Sequence, residues 1–489
     1  MRLRRFPSIL LVTFAAAFVF AAFSPHALAL SKTAESSIDS IVERQMKAGN
    51  IPGAAVAVLD GDDLFLRGYG TADGKNAVTP QTPFLVGSVG KTFTALGIRQ
   101  LIGAGQLTED MKVINVLPDF QLQDNNAAQS LTVGHLLRHK SGFSRRQGEA
   151  GYLYNHALTI QGAVKRLSSV TPAYAPGTVE EYSNLNFIIL GAVIEQVSGQ
   201  TYAEYLSQHV FAPLGMTDSF TDAAEAKKAG LAQGHTLLYE LIVPASPPQP
   251  QAQIPAGFQM SSAEDMAKFA GLYLNNGYLN GESLILNNPL PFDAGESENR
   301  YGIYFTLETG ASEGLLGYYS HIGATAGEMT ALLVNPGEHR AVIVLTNCNN
   351  GYQDPPVSAQ TMANGIALLL ETGNLPEAYS PNRMEPLPEF AALFVVLLFI
   401  GFRIYSATRL HHRMQQKSKR VTSLLACIAL DGLFPLAVLV GLPVFGEISW
   451  AFMLQNNLKI YAPVVLLCVG LLCVFLVKSI LILRKKPIA

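Results

Sequence analysis

Short apolar stretches with polar interruptions occupy the first three quarters of the chain, whereas long unbroken apolar runs fill the last quarter. An amphipathic pattern predicts a helix at 36–47, and apolar stretches predict strands at 53–59 and 64–69. From residue 88 to about 266 the pattern favours helices. Further strands are predicted at 301–307, 317–322, 329–335 and 340–346, before a closing helix at 357–372. This order predicts an α/β (α+β) fold, with one antiparallel sheet flanked by helices and joined to a helical lobe.

The last quarter contains three apolar runs, at about 390–405, 421–445 and 460–483, after a proline-spaced linker at 376–389. The second and third runs reach the ~20 residues that a helix needs to cross a bilayer, and the first is slightly shorter. Three buried core helices are the competing interpretation, which the absence of polar faces disfavours. We therefore expect a three-helix transmembrane domain at 390–489.

The amino terminus has the pattern of a secretory signal peptide. Three arginines within the first five residues precede the apolar stretch 9–23 and the small-residue sequence Ala27-Leu28-Ala29. Cleavage there would remove residues 1–29 and leave an exported domain at 30–375. The alternative is an uncleaved membrane anchor.

Charge is consistent with this arrangement. The net charge of −3 gives no indication of nucleic-acid binding. Basic residues are concentrated between the first two apolar runs and at 484–486, which the positive-inside rule places in the cytoplasm. We expect a multi-pass protein of a bacterial inner membrane with a periplasmic or extracellular domain and a cytoplasmic C-terminus. Its partners would be membrane lipid and, through the helices, an exporter or a second copy of the chain.

Cysteine and histidine spacing predicts no metal site, and no cofactor is expected. Three of the four cysteines lie in the apolar runs, so Cys348 has no disulfide partner in the exported domain. Two charged residues also lie in those runs. Asp431 is interpreted as a transporter contact or a polar lock between helices or, preferably, as a protonated or hydrogen-bonded group that only sets helix packing. Lys478 is interpreted as a side chain that extends to the interface without a function.

The most specific chemical pattern is Ser88-Val-Gly-Lys91. Residues i and i+3 share one helix face, so the Lys91 amine can approach the Ser88 hydroxyl, which needs an adjacent base to become a nucleophile. A helix beginning near Ser88 would also supply backbone N–H groups where an oxyanion forms. By itself the pattern is weak, because it occurs by chance in many helices.

Two further stretches are suited to the walls of a cleft. Glu181-Tyr182-Ser183-Asn184 is a predicted turn entering an apolar helix, which leaves Tyr182 and Asn184 able to face the cleft. The alternative role for Asn184 is that of helix N-cap. In His321-Ile322-Gly323 the glycine would let a substrate backbone approach the strand closely, and the alternative for His321 is a structural strand residue.

In this order and spacing, the motifs resemble those of the serine β-lactamase and penicillin-binding-protein superfamily, in particular its class C β-lactamase, D-peptidase and esterase branch. The resemblance covers about 36–372, including the stretch 131–143. It implies acyl transfer through an acyl-enzyme on Ser88, with Lys91 and Tyr182 as a catalytic proton-transfer pair in which the base stays unassigned. It further implies an oxyanion hole from the N–H groups of Ser88 and Ala324, and substrate contacts from Asn184, His321 and Gly323.

His321 departs from penicillin-recognising members of that superfamily, which usually have a lysine at this position. Histidine is mostly neutral at pH 7, so it offers no permanent cation to a substrate carboxylate. We therefore expect little β-lactamase activity and a shift toward esterase, amidase or aminopeptidase-like chemistry.

A domain of this type before three membrane helices also resembles prodrug-activating peptidases of the colibactin type, although Ala324-Thr325-Ala326 lacks the side chains that suit a D-asparagine. We expect a membrane-anchored serine peptidase or amidase acting on a small peptide-like or acylated substrate that contains a D-amino acid or an N-acyl group. The alternatives are an esterase, a cell-wall D-peptidase, or a penicillin-binding sensor with little turnover.

Overall fold

A computed structural model describes residues 31–155, 157–238, 241–245, 249–279, 282–284, 317–349, 358–375, 386–409, 425–446 and 458–483. Four groups of predicted features lie outside the described residues: the signal peptide, the strand at 301–307, residues 376–385 of the linker, and the basic residues at 410–424 and 484–486.

One five-stranded antiparallel sheet forms the centre of the fold before residue 375. Its strands are β1 (Gly53–Asp60), β2 (Asp63–Gly70), β3 (Tyr319–Ala324), β4 (Met329–Asn335) and β5 (Arg340–Thr346), in the spatial order β2-β1-β5-β4-β3. Strand β1 pairs with β5 in a register that runs from Ala54 and Thr346 to Asp60 and Arg340. The predicted joining of amino-terminal and carboxy-terminal strands in one sheet is therefore confirmed.

Helices cover both faces of this sheet. Successive side chains of a strand point to opposite faces, so one strand packs against the helices of both layers. The longer helices are α1 (Lys32–Ala48), α2 (Lys91–Gly103), α3 (Asn184–Ser198), α4 (Ala263–Leu274) and α5 (Ala359–Thr372). Helices α1 and α5 share an apolar cluster with Val56 and Val58 of β1. Helix α4 and the lobe that contains α2 and α3 share another with Ala55 and Ala57.

Shorter elements connect these parts. The short helices are Val113–Val116, Asn125–Ser130, Val133–Leu137, Arg145–Gly148, Ile160–Arg166, Tyr202–Leu206, Ala212–Leu214, Ala223–Lys228 and Ile254–Gly257, with tighter or wider helical turns at Gly87–Gly90, Gly151–Tyr154, Leu167–Ser169, Ser207–Phe211 and Gln251–Gln253. The short strands are Phe84–Leu85 with Met260–Ser261, Cys348–Asn349 with His235–Leu238 and Leu241–Pro244, and Tyr278–Leu279 with Glu282–Ser283.

The stretch 243–255, which its composition predicts to be a surface loop, is partly buried. Ala252 and Gln253 have no exposed surface. Pro255 packs so closely on Gly191 of α3 that a side chain at Gly191 would collide with the proline ring. The prediction of a loop is wrong for this part because small and apolar side chains place it beneath the lobe.

Three helices follow in the C-terminal segment: α6 (Pro386–Thr408), α7 (Phe434–Gly446) and α8 (Leu458–Leu483). A π-helical turn at Cys427–Leu433 leads directly into α7. Within the described residues, Tyr461–Ile480 of α8 is long and apolar enough to cross a membrane, and shorter apolar stretches occur at 393–407 and 427–442.

One buried ionic cluster connects these three helices. Asp431 is fully buried, and its carboxylate accepts hydrogen bonds from Arg403 Nε at 2.7 Å and from Lys478 Nζ at 2.8 Å. The expectation that Lys478 only extends to an interface is wrong, since a carboxylate among apolar helices needs a partner to offset its desolvation. These contacts agree with the preferred interpretation of Asp431 as a hydrogen-bonded group that sets helix packing, and equally with a polar lock between helices.

Replacing Asp431 with alanine should destabilise the C-terminal helices, because it leaves the buried Lys478 and the partly buried Arg403 without their counter-charge. The expected loss is about 3–5 kcal/mol. It can be measured from the thermal unfolding of the full-length protein in detergent. The matched control is Arg409→Ala, which removes an exposed charge from the end of the same segment. Equal unfolding temperatures for Asp431→Ala and the control would contradict the role of the cluster.

Candidate active site

The nucleophile candidate lies on a tight helical turn between the sheet and α2. Ser88 is in the 3₁₀ turn Gly87–Gly90, and the α-helix begins at Lys91, so the predicted helix start at Ser88 is three residues early. Gly87 has a φ of +55°, and a side chain there would come within 2.5 Å of the Ala324 nitrogen. Glycine is therefore required for the turn to approach β3 this closely.

The structure brings Ser88, Lys91 and Tyr182 together. The Ser88 Oγ lies 2.6 Å from the Tyr182 hydroxyl and 3.1 Å from Lys91 Nζ. Lys91 Nζ also donates a hydrogen bond to the carbonyl oxygen of Ala256 and lies 4.8 Å from the centre of the Tyr182 ring. A serine hydroxyl with two neighbouring proton acceptors is the arrangement that nucleophilic catalysis needs.

Burial determines the charge state of Lys91. Its side chain is completely buried, and the loss of hydration lowers the pKa of the amine well below its usual range. The positive charge of Arg145 lowers this pKa further, and Glu149 opposes the change. Lys91 is therefore suited to accept a proton near neutral pH.

The His321 side chain contacts the nucleophile's own backbone. Its Nε2 lies 2.7 Å from the Ser88 carbonyl oxygen, which can only accept a hydrogen bond, so Nε2 carries the proton. Burial and the charge of Lys91 lower the pKa of His321 to about 3, although the hydrogen bond to Ser88 opposes this shift. The ring is thus neutral at pH 7 and is only 3% exposed. The sequence predicts a substrate contact here, whereas the ring contacts Ser88.

Two backbone N–H groups lie side by side at the edge of β3. A side chain on Gly323 would lie 3.1 Å from the Ser88 nitrogen and would collide with the Val86 carbonyl group. The Thr325 nitrogen donates to the Glu328 carbonyl at 2.9 Å. Because such bonds alternate along an antiparallel pair, the Ala324 N–H points away from β4, toward the Ser88 turn. This geometry suits an oxyanion hole and explains why residue 323 is glycine.

Asn184 is the first residue of α3, and the N-cap position belongs to Ser183. The alternative role of Asn184 as the helix cap is therefore wrong. Its side-chain Oδ1 is buried and, within the described residues, has no hydrogen-bond partner. A buried carbonyl oxygen of this kind is costly unless a ligand or water donates to it.

Two functional contacts could not be found from the sequence motifs. The Ala256 carbonyl holds the Lys91 amine, and a backbone atom leaves no mark in residue type. The His139 ring stacks on the Tyr182 ring at 4.7 Å with an interplanar angle of 25°. His139 lies in the stretch 131–143, which is part of the family resemblance, but only the tertiary fold brings its ring to Tyr182.

Several known proteins are similar to this chain in sequence or in fold. The profile of the Beta-lactamase family matches residues 38–365. Protein flp of Staphylococcus aureus strain MW2 is 24% identical, over 87% of this chain and 86% of its own. Penicillin-binding protein 4 of Amycolatopsis lactamdurans is 30% identical, over 61% of this chain and 81% of its own. The octameric penicillin-binding protein homologue from Pyrococcus abyssi has a TM-score of 0.55 and 23% identity, covering 70% of this chain and 78% of that chain, which shows a shared fold.

The similarity to Protein flp continues beyond the domain that contains the sheet. Residues 1–365 are less than 87% of a 489-residue chain, so part of that match lies after the last residue of the family match. That relative therefore shares at least part of the C-terminal segment.

Acidification should destabilise the domain through its two buried histidines. Burial lowers the pKa of both His139 and His321, so the unfolded chain binds more protons below its own histidine pKa of about 6.5. Stability is therefore complete above that pH and is lost as the pH falls. Each histidine should cost about 2 kcal/mol between pH 7.5 and 5.

The measurement is the unfolding free energy of wild type and His321→Asn across this pH range. The two histidines together contribute one part of the dependence of the unfolding free energy on pH. His321→Asn should remove about half of that part. Equal slopes for wild type and His321→Asn would contradict a neutral His321.

Proposed function

This chain belongs to the beta-lactamase family, and from that premise we propose that it is a serine hydrolase that forms an acyl-enzyme on Ser88. The observation that carries the proposal is the hydroxyl of Ser88 within hydrogen-bond distance of both Lys91 and Tyr182. The favoured activity is that of a peptidase or amidase on substrates that contain a D-amino acid or an N-acyl group. Maturation of an exported prodrug is one such activity.

In the acylation step, the Ser88 oxygen attacks the substrate carbonyl carbon and its proton passes to the Lys91–Tyr182 pair. The N–H groups of Ser88 and Ala324 stabilise the oxyanion, an interaction that typically contributes a few kcal/mol for each donor. Tyr182 then protonates the leaving group, and the same pair deprotonates the water that hydrolyses the acyl-enzyme. The buried Oδ1 of Asn184 accepts a hydrogen bond from a substrate amide.

Esterase activity is the second candidate, and the state of His321 favours it. A neutral ring that is bound to the Ser88 carbonyl offers no cation to a substrate carboxylate. Substrates without a carboxylate at this position, including simple acyl esters, therefore fit the site. By the same reasoning, β-lactams and C-terminal carboxylates are disfavoured, which leaves a cell-wall D-peptidase or a slowly deacylating penicillin-binding sensor as the weaker alternatives.

The C-terminal segment would anchor this hydrolase as a three-helix bundle in a bacterial inner membrane. Three observations support the proposal: the apolar length of Tyr461–Ile480, the many outward-facing apolar side chains of the segment, and the shared segment in Protein flp. Arg403 and Lys478 each lie five residues before the end of their helix, which places the ionic cluster at one common depth near the proposed cytoplasmic side. In this arrangement the catalytic domain is periplasmic or extracellular.

Purified full-length protein should hydrolyse N-acyl-D-amino-acid amides, and Ser88→Ala should reduce kcat/KM by at least about 10³-fold because the nucleophile is lost. Tyr182→Phe should cost about 10²–10⁴-fold. The matched control is Ser130→Ala, which changes an exposed serine and should leave kcat/KM unaltered.

The same assay separates the candidate activities when esters with the same acyl groups and the chromogenic β-lactam nitrocefin are included. Ser88-dependent cleavage of the amides would support the peptidase or amidase, and cleavage confined to the esters would favour the esterase. Rapid nitrocefin turnover that Ser88→Ala abolishes would contradict the substrate preference inferred from His321. Turnover of none of these substrates by wild type would contradict the hydrolase itself.

A further inference from the structure

His139 contacts both residues that flank Tyr182 in the chain. Its backbone carbonyl accepts a hydrogen bond from the Glu181 nitrogen at 2.9 Å. Its side-chain Nδ1 accepts another from the Ser183 nitrogen at 3.1 Å. One residue thus fixes the backbone on either side of the tyrosine, so the starting point of the Tyr182 side chain is set by His139.

The His139 ring also restricts the direction of the Tyr182 side chain. The two rings stack at 4.7 Å and are within 25° of parallel. The hydroxyl at the far end of the tyrosine lies 2.6 Å from Ser88 Oγ. A small rotation of the Tyr182 ring would lengthen this contact, because the hydroxyl is the atom farthest from the backbone.

The hydrogen bonds also determine the protonation of His139. Both the Ser183 nitrogen, at 3.1 Å, and the Asn186 side-chain nitrogen, at 2.8 Å, approach Nδ1. A backbone N–H can only donate, so Nδ1 must present a lone pair and the proton of the neutral ring lies on Nε2. A protonated ring would turn a donor toward two donors and place a cation near the buried Lys91 amine. The fully buried ring therefore stays neutral while it holds Tyr182.

We propose that His139 is a positioning residue for catalysis, which holds the Tyr182 hydroxyl against Ser88 through the Ser183 hydrogen bond and the stacked ring. This role rests on the proposed function, because it acts through Tyr182 and touches no substrate. The segment that follows the short helix Val133–Leu137 would then contribute to the proton transfer, although its place in the sequence does not indicate such a role.

Two substitutions separate the contributions of the ring and of Nδ1. His139→Phe keeps an aromatic ring and removes the acceptor, whereas His139→Asn removes the ring and keeps an acceptor at the δ position. The φ of His139 is +53°, a conformation that asparagine tolerates better than phenylalanine, so the thermal midpoint is measured for both variants. The control is His135→Asn, because His135 accepts a hydrogen bond within its own helix cap.

The readout is the rate at which Ser88 is phosphonylated by a fluorophosphonate probe, in which the Ser88 oxygen bonds to phosphorus and fluoride leaves. This rate is followed by intact mass, and kcat and KM are measured for any hydrolysed substrate. We expect His139→Phe to lower the phosphonylation rate and kcat by about 10–100-fold with KM changed less than threefold. His139→Asn should recover at least part of the loss, and His135→Asn should behave as wild type. A rise in KM alone, with kcat unchanged, would overturn the proposal.

The decisive comparison repeats His139→Phe in a Tyr182→Phe background. If His139 acts through Tyr182, the second substitution should cost less than threefold there. An equal loss in both backgrounds would show a general structural role and overturn the proposal. Phosphonylation by the probe does not depend on the natural substrate, so absence of turnover in wild type would refute the proposed hydrolase while this cycle still tests His139.

Discussion

Lys91 is completely buried between α2, the Tyr182 segment and the turn Ile254–Gly257, and its amine contacts Ser88 Oγ and the Ala256 carbonyl oxygen. A charged ammonium group would lose most of its hydration in this position, so burial favours the neutral amine. The kind of group that contacts the Lys91 amine follows from this burial. A neutral carbonyl oxygen rather than a carboxylate holds the amine, which keeps Lys91 close to Ser88 without placing a negative charge in contact with it.

The two buried histidines maintain the same uncharged environment from opposite sides. His321 connects the edge strand β3 to the Ser88 carbonyl, and His139 connects the end of a lobe helix to the Tyr182 segment. Neutral rings hydrogen-bond to the backbone without adding a cation beside Lys91. The sheet and the lobe thus each fix one reacting hydroxyl, and the site lies where the two parts of the fold meet.

Much of this arrangement could be predicted from the sequence, because it depends on local patterns. Continuous apolar runs predicted the bounds of β4 and β5 as the structure has them, and helical spacing predicted that Lys91 lies beside Ser88. Contacts between segments that are distant in the sequence could not be predicted. The Ala256 carbonyl, the target of the His321 ring and the stacking of His139 on Tyr182 all depend on how distant segments pack, which periodicity does not encode.

The neutral state of the buried Lys91 amine is the central claim of this account, and the pH dependence of Ser88 labelling tests it most directly. The rate of labelling by a fluorophosphonate should be measured by intact mass between pH 6 and pH 10, with Ser88→Ala as the blank. A buried neutral amine predicts a rate near its maximum at pH 7 that changes little up to pH 9. A rate that rises about tenfold per pH unit toward pH 10, as expected for a lysine with an ordinary pKa of about 10.4, would contradict it.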